Sequence, residues 1–202
     1  MLEPVPCAII LAGGKSVRMG EDKALLSLDG MSFLEHIVTS MLELTNNIIV
    51  VVDRENRYTL PYGRMVVDIF PDVGPVGGII TGLMAAGPGT HYVVPCDMPD
   101  LNPNVMRLLG QAASPPLDAV VAEISGEEQP LCAVYRHTAM PKLLSYLENG
   151  KRTARGALAI LHVMRIGEGV LRRIDPDLAS FRNINTPEEL TLLRQKKREL
   201  PS

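Results

Sequence analysis

The fold of this chain is limited most by a set of short, continuously apolar segments. These segments are residues 7–12, 48–52, 65–67 and 91–95, and residues 118–123 are similarly strand-like. Because successive side chains of a strand point to opposite faces of the sheet, an unbroken apolar segment predicts a strand buried on both faces. Such strands are typical of a parallel sheet that is covered by helices on both sides.

Helical signals lie between these segments. Ser32 and Glu35 have the spacing of a capping box, which predicts a helix that continues to about Leu44. Pro75 and Pro103 each suit the first turn of a further helix. The alternation of strands and helices predicts an α/β fold with a mainly parallel sheet.

The second half of the chain is less regular. The polar stretch "SGEEQP" predicts a turn before a strand at residues 131–135, and helices are expected at about 137–149 and 153–161. The segment "FRNINTPEEL" predicts a short strand followed by a helix, for which Thr186 and Glu189 form a capping box. Since no clear linker divides the halves, we expect one domain.

Composition excludes several classes of protein. The net charge of −3 gives no indication of nucleic-acid binding. We expect no signal peptide and no membrane-spanning segment. Cys7, Cys96 and Cys132 are widely spaced within apolar segments, which is typical of reduced thiols in a cytoplasmic protein.

The residues that follow the predicted strands indicate where a ligand binds. Gly13 and Gly14 follow the first strand, and Asp53, Asp68 and Asp97 follow three others. In an open parallel sheet, ligands bind beyond the carboxyl ends of the strands. One such aspartate is commonplace, because Asp favours turns and helix caps. Three beside a glycine-rich loop predict a site.

The loop "LAGGKSVRMGEDK" at residues 11–23 has the chemistry of a triphosphate-binding loop. Gly13 and Gly14 let backbone N–H groups approach phosphate oxygens, and Lys15, Arg18 and Lys23 supply positive charge. The alternative is a solvated loop with incidental cations.

Two common nucleotide-binding motifs do not fit this loop. A P-loop requires a glycine at position 9, which is Ile9. The dinucleotide fingerprint fails because the glycines are at 13, 14 and 20. The loop therefore holds a nucleotide in another way, if it holds one.

Asp97 is the predicted magnesium ligand. Its segment "VVPCDMPDL" delivers a carboxylate to the end of a buried strand. Mg²⁺ is commonly held by one or two carboxylates together with phosphate oxygens and waters. Cys96 is an unsuitable ligand, because Mg²⁺ prefers oxygen.

Three further motifs identify a family. They are "GPVGGI" at 74–79, "PCDMP" at 95–99 and "FRNINTPEE" at 181–189. Together with the loop at 11–23, they resemble the molybdenum cofactor guanylyltransferases over residues 7–192. The loop alone is shared with many sugar-1-phosphate and cytidylyl transferases.

The resemblance implies a fold and an activity. The fold would be three-layered and Rossmann-like, of the nucleotide-diphospho-sugar transferase type, with residues 1–202 forming a single nucleotidyltransferase domain. Its N-terminal half would bind nucleotide and its C-terminal half the acceptor. The enzyme would transfer GMP from GTP to the terminal phosphate of molybdopterin, with Mg²⁺ as cofactor. Transient contacts with cofactor-biosynthesis proteins or molybdoenzymes would follow.

The resemblance also assigns roles to individual residues. Leu11, Ala12 and Gly13 would contact the nucleotide, and Lys23 its phosphates. Asp53 and Asp68 would lie in the guanosine site. Asp97 would bind both nucleotide and Mg²⁺. Asp53 departs from the family pattern, in which asparagine is common.

The loop cations and the small residues extend this assignment. Arg18, with Lys15 and Lys23, would hold the β- and γ-phosphates. Backbone groups around Gly14 and Gly78, with a nearby carboxylate, can pair with the donor and acceptor pattern of guanine.

The acceptor is expected to bind in the second half of the chain. Gln129 would lie at the edge of its pocket, and Arg152 and Arg155 stand near a predicted helix start that suits a phosphate. The alternative is a solvated basic loop. Asn183 and Asn185 either bind the pterin or close turns before the last helix.

Two other functions remain open at this point. One is a related nucleotidyltransferase that uses CTP or acts on a sugar phosphate. The adjacent glycines at 13 and 14 and the "GPVGGI" segment favour guanine, because cytidylyl relatives usually have Ala-Ala-Gly in the loop. The other is a nucleotide-binding regulator without turnover.

Overall fold

A seven-stranded sheet forms the centre of the protein. The computed structural model describes residues 5–13, 22–55, 57–60 and 62–199, without the side chains of residues 187 and 196–199. The strands are β1 (Ala8–Leu11), β2 (Ser27–Leu28), β3 (Met31–Ser32), β4 (Ile48–Val52), β5 (Arg64–Val67), β6 (Thr90–Pro95), β7 (Ala119–Ile124), β8 (Glu127–Arg136) and β9 (Val163–Gly167). The large sheet has the order β5-β4-β1-β6-β8-β7-β9, and β2 and β3 form a separate antiparallel pair.

The sheet is mainly parallel, as predicted. Strands β5, β4, β1 and β6 run parallel to one another, and β9 runs parallel to β7. Only β8 runs antiparallel to its neighbours in this sheet, β6 and β7. The carboxyl ends of β1, β4, β5 and β6 therefore meet at one edge of the sheet.

Helices cover both faces of the sheet. They are α1 (Phe33–Leu42), α2 (Pro75–Ala86), α3 (Pro103–Ala112), α4 (Met140–Glu148), α5 (Ala154–Leu158), α6 (Glu168–Leu171) and α7 (Pro187–Glu199). Ser32 and Glu35 form the predicted capping box of α1. The N–H of Glu189 donates to Thr186 Oγ1 at 3.2 Å, and its carboxylate accepts from the Thr186 N–H at 3.0 Å, which confirms the second box.

Alternate residues of the strands feed two separate cores. Ile9 packs with α2, α4 and α5 on one face of the sheet, and Ile10 packs with α1 and α3 on the other. Both isoleucines are fully buried. This alternation explains why the strand segments are apolar throughout, and it produces three layers.

Several expectations for the second half were wrong. β8 begins at Glu127, so only Ser125 and Gly126 make the turn, where both have positive φ angles. Residues 181–184 form no strand. Instead a 3₁₀ turn, Ala179–Phe181, leads into an extended segment whose Ile184 N–H donates to the carbonyl of Asp97 at 3.0 Å. The capping residue of α3 is Asn102, whose side chain accepts from the Asn104 N–H.

The cysteines agree with the prediction of reduced thiols, and a histidine is part of the core. Cys7, Cys96 and Cys132 are free thiols. His91 is buried between Cys7 and Gly87. Within the described ranges, no helix is both long and apolar enough to cross a membrane.

Candidate active site

A large cavity opens at the carboxyl ends of the parallel strands. Its volume is about 800 Å³. The ends of β1, β4, β5 and β6 form the strand wall of this cavity, and the first half of β8 together with the start of α5 forms the β8 wall. Parallel strand polarity therefore brings chain segments from residue 11 to residue 183 around one space.

Most of the predicted site residues line this cavity. They are Leu11, Ala12, Gly13, Lys23, Asp53, Asp68, Gly78, Asp97, Gln129, Arg155 and Asn183. Arg152 and Asn185 are not in its wall. Gly14, Lys15 and Arg18 lie outside the described residues. The specific contacts assigned to all these residues stay predictions.

Asp68 and Gly78 form one part of the wall. Asp68 Oδ1 accepts hydrogen bonds from Thr81 Oγ1 at 2.8 Å and from the Phe70 N–H at 2.9 Å. Its Oδ2 faces Gly78, where an added Cβ would lie 3.9 Å from that oxygen and 3.2 Å from Leu11 Cδ2. Glycine in α2 thus keeps this wall open beside a carboxylate with one fixed oxygen.

Lys23 and Asp97 form an ion pair that also lines the cavity. Lys23 Nζ lies 3.3 Å from Asp97 Oδ2, and the side chains are 20% and 21% exposed. The same ammonium donates to Asn185 Oδ1 at 2.5 Å. Asn185, expected at the acceptor, therefore contacts the Lys23 side chain and does not line the cavity itself.

The donor set suits a magnesium ion that retains other ligands. Among the described residues there is no group of three or more His, Cys, Asp or Glu side chains that could enclose a metal. A single carboxylate such as Asp97 is the usual protein contribution where phosphates supply further oxygens. Burial raises the pKa of the neighbouring Cys96 thiol to about 12, so the thiol stays neutral and is a poor ligand.

Arg57 and Asp22 line the cavity and were missed by sequence reasoning. Arg57 Nε and Nη2 donate to Asp22 Oδ2 at 2.9 and 2.8 Å, and Nη1 pairs with Asp53 Oδ1. The signal was available, because Asp53 and Arg57 are four residues apart with opposite charges. That spacing is informative only in a helical turn, and nothing predicted one there.

The β8 wall carries side chains of both charges. Arg155 Nη2 lies 3.1 Å from Glu127 Oε2, and both side chains are more than half exposed. Glu128 lines the cavity and accepts from Arg165 Nε at 2.7 Å. Arg152 points elsewhere, because its Nη1 donates to the carbonyls of Leu147 and Lys151 at 2.8 and 3.0 Å.

Comparison with known proteins decides the family. A family model described as a MobA-like NTP transferase domain matches residues 8–164. A molybdenum cofactor guanylyltransferase from Desulfosudis oleivorans is 34% identical over 183 residues, which are 90% of this chain and 91% of that protein. The chain belongs to the MobA-like nucleotidyltransferases.

Other members of this family match over nearly the whole chain. A molybdenum cofactor guanylyltransferase from Vibrio vulnificus is 33% identical, covering 96% of this chain and 98% of that protein. The crystal structure of molybdopterin-guanine dinucleotide biosynthesis protein A from Archaeoglobus fulgidus is 26% identical, with a TM-score of 0.82. It covers 96% of this chain and 100% of that one. The resemblance seen in the four motifs is thereby confirmed, and the protein is a nucleotidyltransferase enzyme.

Proposed function

We propose that this protein transfers GMP from GTP to the terminal phosphate of molybdopterin, releasing pyrophosphate and forming molybdopterin guanine dinucleotide. The observation that carries the proposal is the match, over at least nine tenths of both chains, to proteins named molybdenum cofactor guanylyltransferase. The cavity supports it, because its two walls offer room for a nucleotide and for a second substrate side by side.

The reaction needs no side-chain nucleophile. A phosphate oxygen of molybdopterin forms a bond to the α-phosphorus of GTP, and the bond from that phosphorus to the bridging oxygen of pyrophosphate breaks. Both substrates are anions, so the protein must position them and neutralise their charge. Lys23 is suited to this, and Lys15 and Arg18 would add charge from the same loop.

Mg²⁺ would be held by the carboxylate of Asp97. When bound, the ion would neutralise negative charge on the phosphates and so favour the departure of pyrophosphate. Lys23 lies against the same carboxylate in the free protein and would turn its ammonium to the phosphates. The segment before α7 holds this pair in place. Asn185 accepts from Lys23, and the Ile184 N–H donates to the carbonyl of Asp97.

The guanosine would lie along the wall made by Gly13, Asp53, Asp68 and Gly78. Guanine carries adjacent N–H donors that suit a carboxylate, whereas adenine presents the reverse pattern. A buried polar group left without a partner costs about 1–3 kcal/mol, so two mismatches give about a hundred-fold preference. Molybdopterin would occupy the β8 wall, near Gln129, Arg155 and Asn183.

The test is pyrophosphate release from GTP, CTP and ATP, each with molybdopterin or its molybdenum-loaded form as acceptor. We expect kcat/KM to be highest for GTP by about a hundred-fold. A preference for CTP would identify the related cytidylyltransferase. GTP binding without pyrophosphate release would identify a regulator.

A further inference from the structure

A cluster of four side chains lies at the cavity, and three of them line it. The Arg57 cluster consists of Arg57, Asp22, Asp53 and Tyr58. The Arg57 side chain is only 7% exposed, and it contacts Asp22 with two nitrogens and Asp53 with the third. The Tyr58 ring lies 5.3 Å from the guanidinium carbon, and its hydroxyl donates to Asp22 Oδ2 at 2.8 Å. Nε and Nη2 therefore donate to Asp22, whereas the buried Nη1 faces Asp53 as an ion pair without an aligned hydrogen bond.

One side of the cluster fixes the turn that carries Lys23. Asp22 Oδ1 accepts from the Ala24 N–H at 3.1 Å and so caps the 3₁₀ turn Lys23–Leu25. Lys23 is the first residue of that turn, and its ammonium reaches Asp97. Holding Asp22 thus sets the position from which Lys23 reaches into the cavity.

The other side of the cluster fixes Asp53. This carboxylate follows β4, is 41% exposed on the cavity wall, and pairs with Arg57 Nη1. Without Arg57, the carboxylates of Asp22 and Asp53 would face the proposed site of an anionic substrate with less positive charge beside them. The arginine keeps Asp53 oriented and reduces its repulsion of the nucleotide.

We propose that Arg57 is a positioning residue that ties the guanosine end of the nucleotide site, through Asp53, to the phosphate end, through Asp22 and Lys23. The inference rests on the proposed function, because it takes GTP as the ligand. Burial acts to lower the pKa of Arg57, but hydrogen bonds with Asp22 and Asp53 outweigh it and raise that pKa. The Arg57 side chain stays charged, so its ion pairs with Asp22 and Asp53 do not depend on deprotonation of the arginine.

A double-mutant cycle with two probes tests the two arms separately. The probes are guanosine and magnesium pyrophosphate, which report on the two ends of the site. We expect R57Q to weaken both by about tenfold. In a D53A background, R57Q should no longer affect guanosine but should still weaken pyrophosphate. In a D22A background the pattern should reverse.

The inference is overturned if the loss of affinity cannot be separated into a guanosine part and a pyrophosphate part. If Arg57 only packs the loop, R57Q will lower affinity for both probes equally in every background. R54Q is the matched control, since Arg54 is an exposed arginine three residues earlier, and it should bind both probes like the wild type.

A second variant covers a failure of R57Q to fold. R57K keeps the charge but lacks the planar fork, so its single nitrogen cannot reproduce the two-nitrogen contact with Asp22 and at the same time the contact with Asp53. We expect R57K to weaken one probe by about tenfold and the other by less than about twofold. Equal losses for both probes would contradict the proposal that Arg57 links the two ends of the site.

A measurement without ligand separates this inference from the proposed function. The Ala24 N–H is bonded to Asp22, so its hydrogen exchange should become faster in R57Q and stay unchanged in R54Q. Unchanged exchange in R57Q overturns the inference. Absence of pyrophosphate release by the wild type with GTP and molybdopterin overturns the proposed function and leaves the exchange result standing.

Discussion

At the residue scale, chain polarity explains which site residues could be predicted. Asp53, Asp68 and Asp97 follow buried parallel strands, so their meeting at one sheet edge follows from the pattern alone. Arg57 follows no strand and belongs to no motif. Its role depends on contacts with Asp22, which is 35 residues away along the chain, and such contacts have no local signal.

Asp97→Ala should abolish magnesium-dependent turnover without unfolding the protein. Asp97 lies on the cavity wall and is not part of the core, so the variant loses a metal ligand and the partner of Lys23. Loss of a needed ligand costs several kcal/mol of transition-state stabilisation, or at least about a hundred-fold in rate. The measurement is initial rate against Mg²⁺ concentration, together with a thermal unfolding curve.

The control for this change is Asp177→Ala, which removes an exposed carboxylate far along the chain. It should leave both the rate and its magnesium dependence at wild-type values. Near-normal turnover of Asp97→Ala, with the same magnesium dependence, would show that another group holds the metal.

At the element scale, helix α2 lies close to the sheet through its glycines. Gly78→Val should weaken GTP binding, because its Cβ would stand 3.2 Å from Leu11 Cδ2 and its methyl groups would narrow the wall beside Asp68. We expect about a tenfold loss of affinity for GTP and a smaller loss for pyrophosphate, which does not reach this wall. Isothermal titration with both ligands measures the difference.

Gly169→Val in α6 is the matched control for crowding, since an added Cβ there meets no atom within 4 Å. It should bind both ligands like the wild type. Losses of equal size for GTP and pyrophosphate in Gly78→Val would mean that the helix has shifted as a whole.

His91 joins three elements and should make stability depend on pH. Its Nδ1 accepts from the Cys7 N–H at 3.1 Å, next to β1, and its Nε2 lies 2.9 Å from the Gly87 carbonyl that ends α2. Burial lowers the pKa of His91 below its ordinary value, and nearby His137 lowers it further. The unfolded chain therefore binds this proton first as the pH falls.

The sign follows from that depressed pKa. Its contribution to stability is complete above the unfolded pKa of about 6.5 and is lost as the pH falls through the folded value. Urea unfolding should be measured from about pH 7.5 down to about pH 5, a range that spans the unfolded pKa. The free energy of unfolding should decrease as the pH falls. His91→Leu should flatten this slope, whereas exposed His162→Gln should keep it. An unchanged slope in His91→Leu would remove His91 as the cause.

At the scale of the whole molecule, the first half of the fold was predictable and the second half was less so. Strands β1, β4 and β6 are buried on both faces, so their sequences leave one interpretation. β8 begins with Glu127, Glu128 and Gln129, because that end lines the cavity and faces solvent. A strand whose polar end is part of a binding site looks like a turn when only the sequence is read.

The two halves nevertheless form one site, and this leads to a prediction about the acceptor. Arg155→Ala should raise KM for molybdopterin by about tenfold and leave KM for GTP unchanged, because Arg155 lines the β8 wall and not the strand ends proposed to hold the nucleotide. Arg152→Ala is the control: it removes the same charge three residues away, but its guanidinium donates to the carbonyls of Leu147 and Lys151 and lies outside the wall. It should lower the unfolding temperature slightly and change neither KM. Steady-state rates with each substrate varied in turn decide the matter. A rise in KM for GTP in Arg155→Ala would mean that the nucleotide contacts both walls. Equal effects of the two variants on KM for molybdopterin would mean that the arginines act only through the overall surface charge.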